Sequence, residues 1–73
     1  MKTSLTTGEV ADVCGVSGHT VRLWMEKDLL AGYLLPGSMH RRVRPDELRD
    51  FIRFHALPEE CLTRLETLLR EDA

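Results

Sequence analysis

A three-residue break, Gly15-Val16-Ser17, divides two short stretches whose apolar residues recur at helical spacing. That break constrains the fold more than any other feature, because helices this short gain stability only by burying their apolar sides in tertiary packing. The first stretch opens with Thr6-Thr7-Gly8-Glu9, a hydroxyl residue followed three positions later by a glutamate, the reciprocal capping pattern of a helix start, with Leu5 in the staple position before it. The spacing predicts a helix to about Cys14 that buries Val10, Val13 and Cys14, with Ala11 close by. Gly15 ends it, since the residue just past a helix often takes positive φ. Ser17 offers a hydroxyl cap to a second helix over about 18–27. Val21, Trp24 and Met25 stand at i, i+3 and i+4 and form its buried side; His19, Leu23, Glu26 and Lys27 lie opposite, with Thr20 and Arg22 on the flanks.

Two helices joined through a glycine-containing turn make a helix-turn-helix pattern. Leu29 and Leu30 follow as apolar anchors, and Gly32 is expected to break the helical run. Tyr33-Leu34-Leu35, Pro36-Gly37-Ser38-Met39 and His40-Arg41-Arg42-Val43-Arg44 read as strand, turn and returning strand, since Pro-Gly suits the centre of a tight turn. A lone hairpin is marginal, so this one must pack on the helices. Pro45 suits the first position of a third helix, with Asp46 and Glu47 in its acidic first turn. Leu48, Phe51, Ile52 and His55 share one face, Arg49 and Arg53 point elsewhere, and Leu57-Pro58 stops the helix. A fourth amphipathic helix is expected over 59–70, with Cys61, Leu62, Leu65, Leu68 and Leu69 as its stripe. The expected fold is therefore mainly α with a small β-hairpin: three helices plus a wing over 1–56, and a C-terminal amphipathic helix over 57–73.

A net charge of −2 argues against a nucleic-acid binder until its distribution is considered. From Ser17 to Arg44 the chain carries Arg22, Lys27, Arg41, Arg42 and Arg44 against Glu26 and Asp28, a local +3. From residue 57 onward it carries Arg64 and Arg70 against Glu59, Glu60, Glu66, Glu71 and Asp72, a local −3. The location of charge, rather than its total, decides whether a surface can meet phosphates.

Several chemistries lack their residues. Cys14 and Cys61 are too few for a disulfide scaffold, and with His19 and His40 they show none of the close ligand pairs of a zinc site. No metal or cofactor is expected. Trp24 and Phe51 could stack on bases, but their helical spacing with Val21 and Leu48 makes them core residues. His55 on an apolar face reads as a packed or capping histidine. No Ser/His/Asp grouping, phosphate-cradling glycine loop or carboxylate pair with a plausible pocket is present, and the acidic residues at 46, 47 and 50 read as helix-start chemistry, so an enzyme is not expected. No apolar run is long enough to span a membrane, and Met1-Lys2-Thr3-Ser4 leads into the capping signal without a secretory leader's apolar core. An intracellular, cytoplasmic protein is expected.

The run LTTGEVADVCGVSGHTVRLW over 5–24, followed by HRRVRPDELRDFI over 40–52, resembles the MerR/excisionase-type (BldC-like) winged helix-turn-helix DNA-binding domains. Its most specific parts are Thr6-Thr7-Gly8-Glu9-Val10-Ala11, Val16-Ser17-x-x-Thr20-Val21-Arg22-x-Trp24 and His40-Arg41-Arg42-x-Arg44-x-x-x-Leu48, in that order. The resemblance implies that the second helix enters the major groove of duplex DNA and that the wing lies on the backbone or in the adjacent minor groove. The residues it assigns to DNA are His19, Thr20, Arg22 and Leu23 on the second helix and His40, Arg41, Arg42 and Arg44 on the wing; Ser17 at the cap and Lys27, whose charge suits a phosphate, complete the candidate DNA-binding set. Guanidinium groups suit phosphate and guanine geometry, which agrees with that assignment. This chain departs from the family pattern at Gly18 and Leu23, where basic or polar side chains are common, and at Met39, where the wing tip is usually small.

These readings converge on a transcription regulator, or the DNA-binding module of one, with the 18–27 face and the 40–44 ribbon forming one continuous cationic surface. An excisionase-like architectural protein that bends DNA is the alternative within the binding class. A protein-interaction adaptor that has lost DNA binding is the alternative outside it. The terminal leucine stripe keeps two readings open: a helix that folds back to complete a small core, or a self-association helix forming a homodimer through Leu62, Leu65 and Leu69. The resemblance also implies that such a domain can precede a C-terminal signalling domain in a longer parent chain.

Overall fold

The computed structural model describes residues 3–71. The elements run β1 (Leu5–Thr6), α1 (Thr7–Cys14), α2 (Gly18–Glu26), β2 (Tyr33–Leu34), β3 (Arg41–Val43), α3 (Pro45–Phe54) and α4 (Glu59–Glu71). The fold is mainly helical with a small antiparallel sheet, as expected of a winged helix-turn-helix domain. At the start of α1 the capping box is complete: the Glu9 N–H donates to Thr6 Oγ1 at 3.0 Å and the Thr6 N–H donates to Glu9 Oε1 at 2.9 Å. Ser17 caps α2 by accepting from the Thr20 N–H at 3.2 Å. Pro45 begins α3, with Asp46 and Glu47 in its first turn.

Three helices end in the same way. Gly15, Asp28 and Ala56 take left-handed backbone angles, with φ of 71°, 56° and 51°. The next residue reaches back five positions in each case: the Val16 N–H to the Ala11 carbonyl (3.0 Å), Leu29 to Trp24 (2.8 Å) and Leu57 to Ile52 (3.0 Å). This is the αL termination that satisfies carbonyls left open at a helix end. Only the first of the three uses glycine. The end of α2 therefore comes at Glu26, well before Gly32, and α3 stops at Phe54, before Leu57-Pro58.

Gly32 has a different role. A Cβ there would overlap Met25 Cε and lie 2.9 Å from the Arg42 carbonyl oxygen, so the chain crosses close between α2 and β3 where only hydrogen fits. Beyond it the hairpin turns at Pro36-Gly37: Gly37 has φ 74° and the Ser38 N–H donates to the Leu35 carbonyl at 3.1 Å, the arrangement of a type II turn.

The sheet has three strands where the sequence predicted a two-stranded hairpin. Its order is β1-β3-β2, with Leu5 opposite Val43, Thr6 opposite Arg42, Tyr33 opposite Arg42 and Leu34 opposite Arg41. The two residues of β1 anchor the wing to the start of α1 and make β3 the central strand.

One core joins all these elements: Leu5, Val10, Val13, Val21, Leu30, Val43, Leu48, Ile52, Cys61 and Leu65 are each at most 2% exposed. Ala11, Met25 and Phe51 join them, and Trp24 packs at the edge, its ring tilted on Phe51 with centroids 4.9 Å apart. Leu30 is buried while Leu29 is 49% exposed, so one of the two expected anchors serves. Cys14 is half-buried and His55 is exposed, although the His55 ring lies 4.4 Å from Phe51. The stripe on α4 packs against α1 and α3. Leu65, fully buried there, is not available to a dimer partner; Leu62 and Leu69 are half-buried against the same core.

Candidate nucleic-acid interface

The burial of Val21 and Met25 orients α2, and leaves His19, Arg22, Leu23 and Lys27 exposed on its other side. Ser17 and Thr20 are engaged locally, their hydroxyls 3.1 Å apart at the helix start, with Thr20 half-buried. His40 is exposed at the end of the turn, its N–H donating to Ser38 Oγ at 2.9 Å.

Strand geometry divides the wing arginines. Successive side chains on a strand point to opposite faces of the sheet. Val43 faces the core, so Arg41 lies on the helix side, paired with Leu34, and these two line one depression with Met25, Gly32 and the edge-strand residue Tyr33. Arg42 lies on the outer face between Thr6 and Tyr33. Arg44 joins that outer face, its guanidinium 5.5 Å from the Tyr33 ring centroid, a cation–π distance. Arg41 and Arg42 are half-buried, and Arg42 Nε is shielded from solvent without a hydrogen-bond partner. The expected ribbon is thus two-sided: Arg41 adjoins α2, while Arg42 and Arg44 occupy the opposite face. Sequence reasoning gave Tyr33 no role beside these cations; the strand register is what reveals it.

The charges of the molecule are also partly sorted. On α3 and α4, Arg49 bonds Asp46 (3.2 Å) and Glu66 (2.9 Å) and Arg64 bonds Glu60 (3.3 Å), while Arg53 and Arg70 make no ion pair among the described residues. Among the described residues, Arg22, Lys27, Arg41, Arg42 and Arg44 make no ion pair with a carboxylate. Cations left unneutralised within the chain keep their field available to an anion outside it.

Two short helices at a glycine turn, packed beside a three-stranded wing, define a winged helix-turn-helix protein. A family model described as a helix-turn-helix domain matches residues 4–56, and the chain belongs to that family, an excisionase-like one of DNA-binding helix-turn-helix proteins. No curated protein and no solved structure matches the chain. Among the described residues no helix is long and apolar enough to cross a membrane.

Proposed function

We propose that this is a cytoplasmic, non-enzymatic transcription regulator, or the DNA-binding module of one, of the MerR/BldC-like type. In this reading α2 enters the major groove, where His19, Thr20, Arg22 and Leu23 discriminate bases, with Ser17 at the helix start. The wing meets the backbone or minor groove chiefly through His40 and Arg41, with Arg42 and Arg44 contributing less from its outer face, and with Lys27 these neutralise phosphates. Leu23 has no hydrogen-bonding group, so its contribution is contact with a thymine methyl group. Two protomers on repeated half-sites supply further affinity, and a signal can arrive through a C-terminal domain of a longer parent chain.

The observation that carries the reading is that, among the described residues, all five cations of α2 and the wing are unpaired within one locally basic segment, whereas α3 and α4 are mixed, with Arg49 and Arg64 paired and Arg53 and Arg70 not. In vitro selection of bound duplexes from a random pool tests it and reports half-site spacing. Enrichment of a defined sequence supports the regulator; absence of any duplex binding at low salt and micromolar protein overturns it in favour of an adaptor.

The excisionase-like family match favours a second reading, an architectural protein that bends DNA for recombination. A footprint that lengthens with protein concentration, together with strong bending, would select it over the regulator.

A further inference from the structure

The end of α2 farthest from its Ser17 cap carries a surface that the DNA-binding reading does not use. Leu29, in the turn after α2, is 49% exposed and Phe54, in the last turn of α3, is 84% exposed. Both line one depression, together with Ala31, Phe51 and His55. Its aromatic side is pre-arranged: the Phe54 ring stands edge-on to His55 at 5.0 Å, His55 lies 4.4 Å from Phe51, and Phe51 leans on Trp24. Four rings thus lead from the core to the surface, and the outermost is held out in water. Single exposed apolar residues need no explanation, whereas a contiguous apolar depression containing an ordered aromatic is the character of an interaction site.

Charge defines the partner. Asp28, Glu47 and Asp50 line the same depression, all exposed. Among the described residues none of the three makes an ion pair, whereas Asp46, one residue before Glu47, is bonded to Arg49. No lysine or arginine lines it: Arg49, beside Asp50, is engaged with Asp46 and Glu66, Lys27 and Arg53 lie outside it, and Arg44 lines a separate depression that shares Glu47. Asp50 is beyond the first turn of α3, so helix-start electrostatics do not account for it. An anionic rim repels a phosphate backbone and attracts a cationic one.

We propose that this Leu29/Phe54 depression is a protein-docking site for a segment of another protein that presents an apolar anchor flanked by lysines or arginines. The anchor covers Leu29 and Phe54, and the flanking cations meet Asp28, Glu47 and Asp50. His19, Arg22 and Leu23 do not line this depression, whereas Lys27, the proposed phosphate contact at this end of α2, adjoins it through Asp28.

The test is an NMR titration of the whole chain with a synthetic peptide in which lysines flank a Leu-Trp pair, beside a control peptide with glutamates in place of the lysines. Saturable binding of the lysine peptide, with shifts centred on Leu29, Phe54 and His55 and loss of about tenfold in affinity in both Phe54→Ser and the Asp28→Asn/Asp50→Asn double variant, is the expected result. Phe54 is exposed enough for Phe54→Ser to keep the fold, which circular dichroism verifies. Absence of saturable binding, equal binding by Phe54→Ser, or shifts centred instead on the acidic surface of α4 would overturn the proposal. So would concentration-dependent self-association that Phe54→Ser abolishes, because the occupant would then be a second copy of the chain.

Discussion

Arg64 on α4 donates through Nη1 to the Val13 carbonyl at 2.8 Å, close to the end of α1. The same guanidinium reaches Glu60 at 3.3 Å, one turn back on its own helix. An otherwise open carbonyl near the C-terminus of one helix is thereby satisfied by a cation from another, a pairing that the negative end of a helix favours. Beneath this contact Cys61 and Leu65 enter the common core.

Truncation after Ala56 is therefore expected to abolish cooperative folding. Removing the two buried side chains of α4 forfeits about 1.5–3 kcal/mol each, a large share of the stability available to so small a domain. The milder variant Leu65→Ala should cost about 2–5 kcal/mol. Urea denaturation followed by circular dichroism measures both. A truncated chain that unfolds cooperatively with an unchanged midpoint would show that α4 is an appendage.

Gly32 gives a second stability prediction. Gly32→Ala forces a methyl group into Met25 and against the Arg42 carbonyl. The Met25 side chain can move, the backbone carbonyl less readily, so a cost of about 1–3 kcal/mol is expected. Gly18→Ala is the control, since a Cβ there meets nothing within 4 Å; the comparison is of thermal midpoints. Equal midpoints would mean that the crossing between α2 and β3 relaxes freely.

These contrasts mark which parts of the molecule were legible in the sequence. The capping box at Thr6 and Glu9, the Gly15 corner, the Ser17 cap, the Pro36-Gly37 turn and Pro45 at the start of α3 depend on neighbours within a few residues, and the sequence displays those neighbours. The αL ends at Asp28 and Ala56 escaped because neither residue advertises positive φ as glycine does. Strand β1 escaped because two residues have no periodicity; its pairing with Val43 and Arg42 is long-range. Of adjacent leucines, only packing decides that Leu30 goes in and Leu29 stays out. For the candidate site, the exposed side of α2 followed from helical spacing, whereas the two-sided wing required knowing that Val43 faces the core.

The Cys14 thiol gives a pH dependence. Burial first, then the neighbouring Cys61, push it up from 9.0 to about 11, with the Arg64 guanidinium pulling the other way. The unfolded chain loses this proton near the ordinary value while the folded chain keeps it, so folding stability is undiminished below pH 9.0 and falls as pH rises toward about 11. The denaturation midpoint of the intact chain should decline across that window, and less so in Cys14→Ala. Iodoacetamide should also modify Cys14 more slowly in folded than in urea-unfolded protein at mildly alkaline pH, since the thiolate is the reactive form. Equal labelling rates would place the thiol at its ordinary acidity.

The two-sidedness of the wing makes the DNA-binding proposal sharper than the sum of its cations. Arg41 shares the helix side of the sheet with Leu34 and Met25, and Arg42 the outer face with Thr6 and Tyr33. A duplex read by α2 meets the Arg41 side first. Replacing both arginines by alanine should weaken binding to all duplexes alike and flatten the dependence of log K on log salt, by about one unit of slope for each phosphate no longer neutralised. Arg41→Ala alone should produce most of that flattening and Arg42→Ala little, read from fluorescence anisotropy over a salt series. The reverse ranking would place the duplex against the outer face of the sheet, where Arg44 rests over Tyr33. An unchanged slope in the double variant would remove the wing from the phosphate backbone altogether.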